Sequence, residues 1–269
     1  MMTGPGPRSG TAPVAGRPDF ETRLATSEAE LRAAQRLRYA VFVEELGGGG
    51  DMVDHAARLE QDRFDPFFDH LLLIDRARPG GLDAQVVGVY RLLTDEAARE
   101  VGQFYSADEY DLGKLTGSGR RLLELGRSCL HPDYRGGAGM MVMWSALADY
   151  VTERGIEVLF GTASFHGTDV AALAPSLSVL HARHLAPEAL RVRARAEAFQ
   201  PMDLIPEAQL DRVAAMRAVP PLIKGYLKLG GFVGEGAFVD HAFNTTDVCL
   251  VLDTALLNEK QSRLFRRGD

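Results

Sequence analysis

Leu123-Glu124-Leu125-Gly126-Arg127-Ser128-Cys129-Leu130-His131-Pro132-Asp133-Tyr134-Arg135-Gly136-Gly137 decides how this chain folds. The residues from Leu122 to Leu130 read as a strand, and Pro132 stops it, because proline has no N–H to give to a ladder. Gly136-Gly137 then turns the chain into a helix over 140–154, with Met141, Trp144, Leu147, Ala148 and Val151 on one face. Val158-Leu159-Phe160-Gly161-Thr162-Ala163 follows as a further strand. Strand, turn, helix and strand make a βαβ unit, which predicts a parallel pair. A helix that starts at such a corner presents free backbone N–H groups, which can hold an anion.

Upstream, Ser27-Glu28-Ala29-Glu30 is a capping box that opens a helix running through Phe42 and stopping at Gly47-Gly48-Gly49-Gly50. His70-Leu71-Leu72-Leu73-Ile74 and residues 85–93 read as a hairpin across Arg78-Pro79-Gly80-Gly81. Downstream, the pattern predicts a helix over 168–185 around Pro175 and an alternating apolar and basic stretch at 190–195. A Pro-bounded helix at 206–219, a helix at 221–229 and strands near 231–240 and 247–252 complete it. The class is α/β, with a mixed sheet flanked by helices. There is no fixed-period repeat, no G-x-G-x-x-G and no Walker loop.

Composition narrows the function. The chain has 269 residues, a net charge of -7 and 46% hydrophobic residues. An acidic chain lacks the basic field that nucleic-acid binding needs, so no nucleic-acid partner is expected. Two cysteines, Cys129 and Cys249, exclude a disulfide scaffold and suit a reducing cytoplasm. No apolar run reaches the roughly 18 residues that span a bilayer. The opening residues lack the apolar core of a secretory signal, so a cytoplasmic location is expected. Residues 1–19, dense in Gly and Pro, read as a disordered tail, and 256–269 as a basic tail.

Several side chains carry chemistry on their own. Glu60, Asp62 and Asp65 put three carboxylates within six residues, either as a solvated acidic loop or as a subsite for a cationic substrate. Their spacing lacks the D-x-D-x-D-G turn of a calcium loop. His181 and His184 have no third ligand nearby, so no metal is expected, and no cofactor. Glu124 and Arg127 are three apart and would face opposite sides of an unbroken strand. Cys129 reads as a small buried strand residue rather than a nucleophile. His131 reads as a turn residue, and His241 beside Asp240 as an acid–base candidate. Arg183, Arg191, Arg193 and Arg195 form one basic cluster, and Lys260, Arg263, Arg266 and Arg267 another. Both suit an acidic carrier protein or anionic lipid as well as plain solvent.

The Pro132–Gly137 corner resembles that of the GCN5-related N-acyltransferases. Leu37-Arg38-Tyr39-Ala40-Val41-Phe42-Val43-Glu44-Glu45-Leu46-Gly47, Glu60-Gln61-Asp62-Arg63-Phe64-Asp65 and Glu124-Leu125-Gly126-Arg127 resemble the signature of acyl-homoserine-lactone synthases of the same fold. Four further segments are similar to ornithine-lipid N-acyltransferases: residues 102–106, 161–167, 220–231 and 243–249. Together the resemblance covers roughly residues 20–255, with a C-terminal extension from about 186. It implies transfer of a 3-hydroxyacyl chain from acyl carrier protein to the α-amino group of ornithine, giving lyso-ornithine lipid. The alternatives are an acyl-homoserine-lactone synthase or a non-catalytic module that binds acyl carrier protein or membrane. The resemblance implies catalytic roles for Glu124 and Arg127, with Glu124 as the base. It implies substrate contacts for Arg38, Glu60, Asp62, Asp65 and Arg91. Cys129, Leu130, Arg135, Gly136 and Gly137 would then hold the thioester and pantetheine. The glycines after Arg135 fall one place off the family's R-x-x-G-x-G/A loop, which favours acyl carrier protein over free coenzyme A. Peripheral contact with the inner face of the membrane is the matching expectation for location.

Overall fold

The computed structural model describes residues 17–257, so residues 1–16 of the expected disordered tail and 258–269 of the expected basic tail lie outside it. The chain begins with β1 (Phe20–Leu24) and α1 (Glu28–Arg38). The capping box forms as read: the Ser27 hydroxyl accepts from Glu30 N–H, and the Glu30 carboxylate accepts from Ser27 N–H. The predicted helix through Phe42 does not continue as α-helix, because the last turns widen into a π-helical stretch, Tyr39–Glu45. β2 (Asp69–Asp75) and β3 (Val86–Thr94) form the expected antiparallel hairpin, with a short α2 (Leu82–Gln85) in its connection. α3 (Asp95–Val101), β4 (Tyr110–Asp111) and α4 (Gly113–Thr116) lead into β5 (Leu122–Leu130). The βαβ unit is then β5, α5 (Gly139–Glu153) and β6 (Val158–His166).

After α6 (Val170–His184), β7 (Arg193–Ala194) and β8 (Phe199–Gln200) come α7 (Arg212–Ala218) and α8 (Pro221–Lys228). The helix expected over 206–219 is split, because the Asp211 carboxylate caps a fresh N-terminus by accepting from Val213 and Ala214 N–H. β9 (Phe232–Val233), β10 (Ala237–Asp240) and β11 (Thr245–Asp253) close the chain. The main sheet runs β1-β2-β3-β5-β6-β11-β10-β8, with β9 added against β11. Every pair is antiparallel except β5 with β6.

Alternation along β2 divides the core. Leu72 and Ile74 face the cluster under α1, while Leu71 and Leu73 face the cluster under α5. α8 packs over the second cluster, where Gly225 lies against the Trp144 ring; a Cβ there would sit 2.4 Å from the indole. The layers thus leave one place open. β5 and β6 pair only at Leu122–Val158, Leu123–Leu159 and Glu124–Phe160, although each strand has nine residues. Gly161 allows the last close approach: a Cβ there would stand 2.1 Å from the Leu125 carbonyl oxygen. Beyond it the two strands part.

Candidate active site

The parting strand carries a bulge. Val89 pairs with Cys129 and Arg91 with Gly126, so β3 advances two residues while β5 advances three. Arg127 takes up the extra residue in the left-handed region, at φ +50°. For a non-glycine this conformation costs about 1–3 kcal/mol and persists only where the surroundings enforce it. The bulge also cancels the opposite-face expectation for Glu124 and Arg127. Both reach the same turn: Arg127 Nη2 donates to the Tyr105 hydroxyl at 3.0 Å, and Tyr105 N–H donates to Glu124 Oε2 at 2.6 Å.

The acidic trio is neither a solvated loop nor a set of free anions. Asp65 is buried and accepts from Arg38 Nη1 and Arg91 Nη1, each at 2.7 Å, and from Gln35 Nε2 at 2.8 Å. Asp62 accepts from Arg91 Nη1 at 2.7 Å. Glu60 accepts from Arg38 Nε at 2.5 Å and from Arg127 Nε at 2.9 Å. Arg38 and Arg91 are both fully buried. The arginines hold Glu60 down at about 2, against the opposing effect of burial, and hold Asp65 well below the usual carboxylate range. All five residues read as substrate contacts therefore meet in one ion network, and its outer member is Arg127.

Glu124 differs from these. Its other oxygen, Oε1, accepts from Ser106 N–H at 2.6 Å and from the Ser106 hydroxyl. Burial pushes its carboxyl up to about 7, against the hydrogen bonds from residues 105 and 106. A value near neutrality suits a base, but both oxygens are occupied by the turn that positions Tyr105.

Where β5 and β6 separate, a cleft opens in two parts. The inner part is narrow and mostly apolar and lies between Leu125, Leu159, Leu222, Leu250 and Leu252, with Tyr90 and Tyr226 hydroxyls bonded to each other at its side. The outer part, about 1060 Å³ and open to solvent, is lined by Glu60, Tyr105, Glu109, Arg127, His166, Phe243 and Asp247, among others. Arg127, Ser128, Thr162, Ala163 and Leu222 line both. Glu109 and Asp247 are cleft carboxylates to which the sequence reading gave no role; Asp240 lines the cleft with them, while His241, the acid–base candidate beside it, is exposed in the following turn. Burial and like charge push Glu109 well up and Asp247 up to about 6.

The corner expected to hold pantetheine is formed by residues 131–139. His131 accepts from Asp133 N–H at 3.3 Å, in keeping with a turn role. Arg135 grips Glu45 through both terminal nitrogens, at 2.5 and 2.7 Å. Gly136 sits at φ +74°, and α5 starts at Gly139 with no side-chain cap. Cys129 is buried in the α1-facing cluster, and burial pushes its thiol up to about 12; Leu130 packs in the α5-facing cluster. The internal basic cluster is held locally but stays at the surface: Arg183 pairs with Glu207, Arg193 with Glu235, Arg191 donates to the Ala186 carbonyl and Arg195 to the Ala107 carbonyl. Lys260, Arg263, Arg266 and Arg267 lie outside the described residues.

These shifts set a pH dependence of stability. Groups raised in the fold, Glu124 and Asp247, contribute fully below their unfolded values near 4 and lose that contribution as pH rises to about 7. Glu60 and Asp65 are lowered, so their contribution is present above about 4 and is lost toward pH 2. The melting temperature is expected to peak where the two windows meet, at about pH 4 to 4.5. Calorimetric scans from pH 3 to 8 with a maximum at or above 7 would contradict this.

Comparison with known proteins supports the same fold. The family of the acetyltransferase (GNAT) domain matches residues 37–145. The L-ornithine N(alpha)-acyltransferase of Rhodobacter capsulatus is 61% identical over 248 residues, 92% of this chain and 95% of that protein. This chain belongs to the L-ornithine N(alpha)-acyltransferase family. The Brucella abortus member is 44% identical over 247 residues, 91% of this chain and 88% of that one. The crystal structure of the acyl-homoserine-lactone synthase LasI shares the fold at TM-score 0.51 and 15% identity, over 94% of this chain and 97% of that chain. The chain is thus an acyltransferase of the α/β class read from sequence, and the family places it in lipid biosynthesis.

Proposed function

We propose that this acyltransferase moves a 3-hydroxyacyl chain from acyl carrier protein to the α-amino group of ornithine, giving lyso-ornithine lipid. The observation that carries the reading is the cleft between the parted strands, apolar within and charged at its mouth. The chain lies in the inner part and the thioester carbonyl against β5 at residues 125–128, where β6 no longer pairs with it. The amine nitrogen attacks the carbonyl carbon, and backbone N–H groups of β5 hold the oxyanion. The C–S bond then breaks. The amine proton ends on the departing pantetheine sulfur, so an amide and a free thiol leave. Arg127 faces the acceptor carboxylate, and Glu60 and Tyr105 fix that guanidinium.

The off-register glycines and the Arg135–Glu45 clamp support a carrier-borne donor, since the clamp neutralises a cation that a pyrophosphate would need. Matched acyl-coenzyme A is expected to be at least about tenfold poorer in kcat/KM, a difference of about 1.4 kcal/mol. Equal efficiency would refute the carrier preference. Among the described residues no helix is long and apolar enough to cross a membrane. Leu46, 45% exposed, lines the outer cleft, and this apolar rim supports peripheral contact at the inner face of the membrane for release of the lipid.

The deciding experiment incubates pure protein with 3-hydroxyacyl carrier protein and ornithine, and reads products by mass spectrometry. N-acylornithine carrying the chain on the α-nitrogen is expected. No product would overturn the assignment, and product only with S-adenosylmethionine would favour the homoserine-lactone alternative.

A further inference from the structure

The cleft holds one cation and an excess of carboxylate that the transfer itself leaves unassigned. Asp247 lies on β11 opposite Ser164 of β6, and only 4% of its surface is exposed. Its Oδ2 accepts from the Thr245 hydroxyl at 3.0 Å and the Ser164 hydroxyl also supports the carboxylate, while its Oδ1 is buried without a well-formed hydrogen bond. Glu109, from the segment before β4, faces the same space and also has a buried, unpartnered oxygen, Oε2. Two buried carboxylates with open acceptors across one cavity are costly unless a cation joins them. The groups that face them are Arg127 from β5, Glu124 beneath it, Asp240 from β10, Tyr105 and His166. Arg127 spends Nε on Glu60 and Nη2 on Tyr105 and makes no ion pair with Glu109 or Asp247, so among the described residues no cation is paired to them.

Resting on the function proposed above, we propose that Glu109 and Asp247 bind the side-chain ammonium of the amino-acid acceptor and so select a diamino acid. The layout fits. The attacked carbonyl lies against β5, and Asp247 sits two strands over, on β11, roughly 10 Å away in the sheet direction. A short methylene chain, together with the reach of the carboxylate side chain and one hydrogen bond, spans that offset from the reacting α-amine to a second ammonium. Arg127, on the opposite side, is left for the carboxylate. Burial raises both carboxylates, Asp247 repels Glu109 and Asp240 repels Asp247, and a bound ammonium relieves that repulsion. The ornithine subsite thus falls on Glu109 and Asp247 rather than on Glu60, Asp62 and Asp65, which the arginines already neutralise.

The test compares ornithine with norvaline, the same five-carbon amino acid without the side-chain amine, at fixed acyl carrier protein donor. Wild-type enzyme is expected to favour ornithine by roughly 10- to 100-fold in kcat/KM, the scale of a charge-assisted hydrogen bond. Asp247→Asn and Glu109→Gln, on separate elements, should each raise the ornithine KM by roughly that factor and leave norvaline turnover unchanged. Parallel loss with both acceptors would overturn the assignment and make the pair part of the reacting centre. If both variants unfold, the wild-type ratio still decides: equal use of norvaline and ornithine refutes ammonium selection. Wild-type enzyme that acylates neither refutes the proposed function instead.

Discussion

Asp65→Ala is expected to lower the melting temperature by roughly 10–15 °C, the largest stability loss from any single substitution considered for this chain. Its carboxylate sits between two guanidiniums that solvent does not reach. Removing one partner of a buried ion network costs about 3–5 kcal/mol, because the remaining charges stay desolvated. Arg38 Nη2 has only its ion pair with Glu60, and Arg91 Nε and Nη2 already lack hydrogen-bond partners, so the network has no spare acceptor to offer. Against a total stability of about 5–15 kcal/mol, that is a large share. The double variant Asp65→Ala with Arg38→Met removes one stranded cation and should recover part of the loss. Thermal melts check both. A fall below about 3 °C for the single variant would mean that water reaches the arginines and that the network is not sealed.

The same network shows what the sequence carried and what it did not. The hairpin of β2 and β3 and the βαβ unit were legible because short continuous apolar runs, Pro132 and the glycine turns are local signals. The capping box of α1 was legible for the same reason. The acidic trio was not, because the partners that decide its state are distant. Arg38 is 22 residues from Glu60, and Arg127 is 67 away. A carboxylate looks identical in sequence whether it meets water or a buried guanidinium. The bulge was hidden too: nothing in the type of Arg127 signals a positive φ, and the enforcing contacts come from Glu60 and Tyr105. Glu109 and Asp247 had no local signature, since they meet only after β11 is laid beside β6. The overlong helix at 206–219 is a plainer case, in which a run of helix formers outweighed the Asp211 cap.

Glu124→Gln separates two accounts of the residue that the sequence put at the centre of the chemistry. Three donors converge on its carboxylate: Tyr105 N–H, Ser106 N–H and the Ser106 hydroxyl. A glutamine keeps one acceptor oxygen and turns an NH₂ group toward the donors that met the other. One buried N–H is then left without an acceptor, at about 1–3 kcal/mol. Loss of the buried negative charge offsets part of this, so the melting temperature should fall by only a few degrees. The turn should loosen, and with it Tyr105, whose hydroxyl accepts from Arg127. Activity is therefore expected to fall by roughly 10- to 100-fold through a misplaced guanidinium, on the scale seen when positioning slips. Such a loss should persist as pH rises to 9, because it does not depend on who takes the amine proton. Ser106→Ala removes a donor from the same turn and should produce a smaller loss of the same kind. A general base behaves otherwise: its removal costs about 10²–10⁴-fold, and free amine at high pH restores much of that. An unchanged melting temperature, a loss that shrinks with pH and a harmless Ser106→Ala would together return the proton to Glu124.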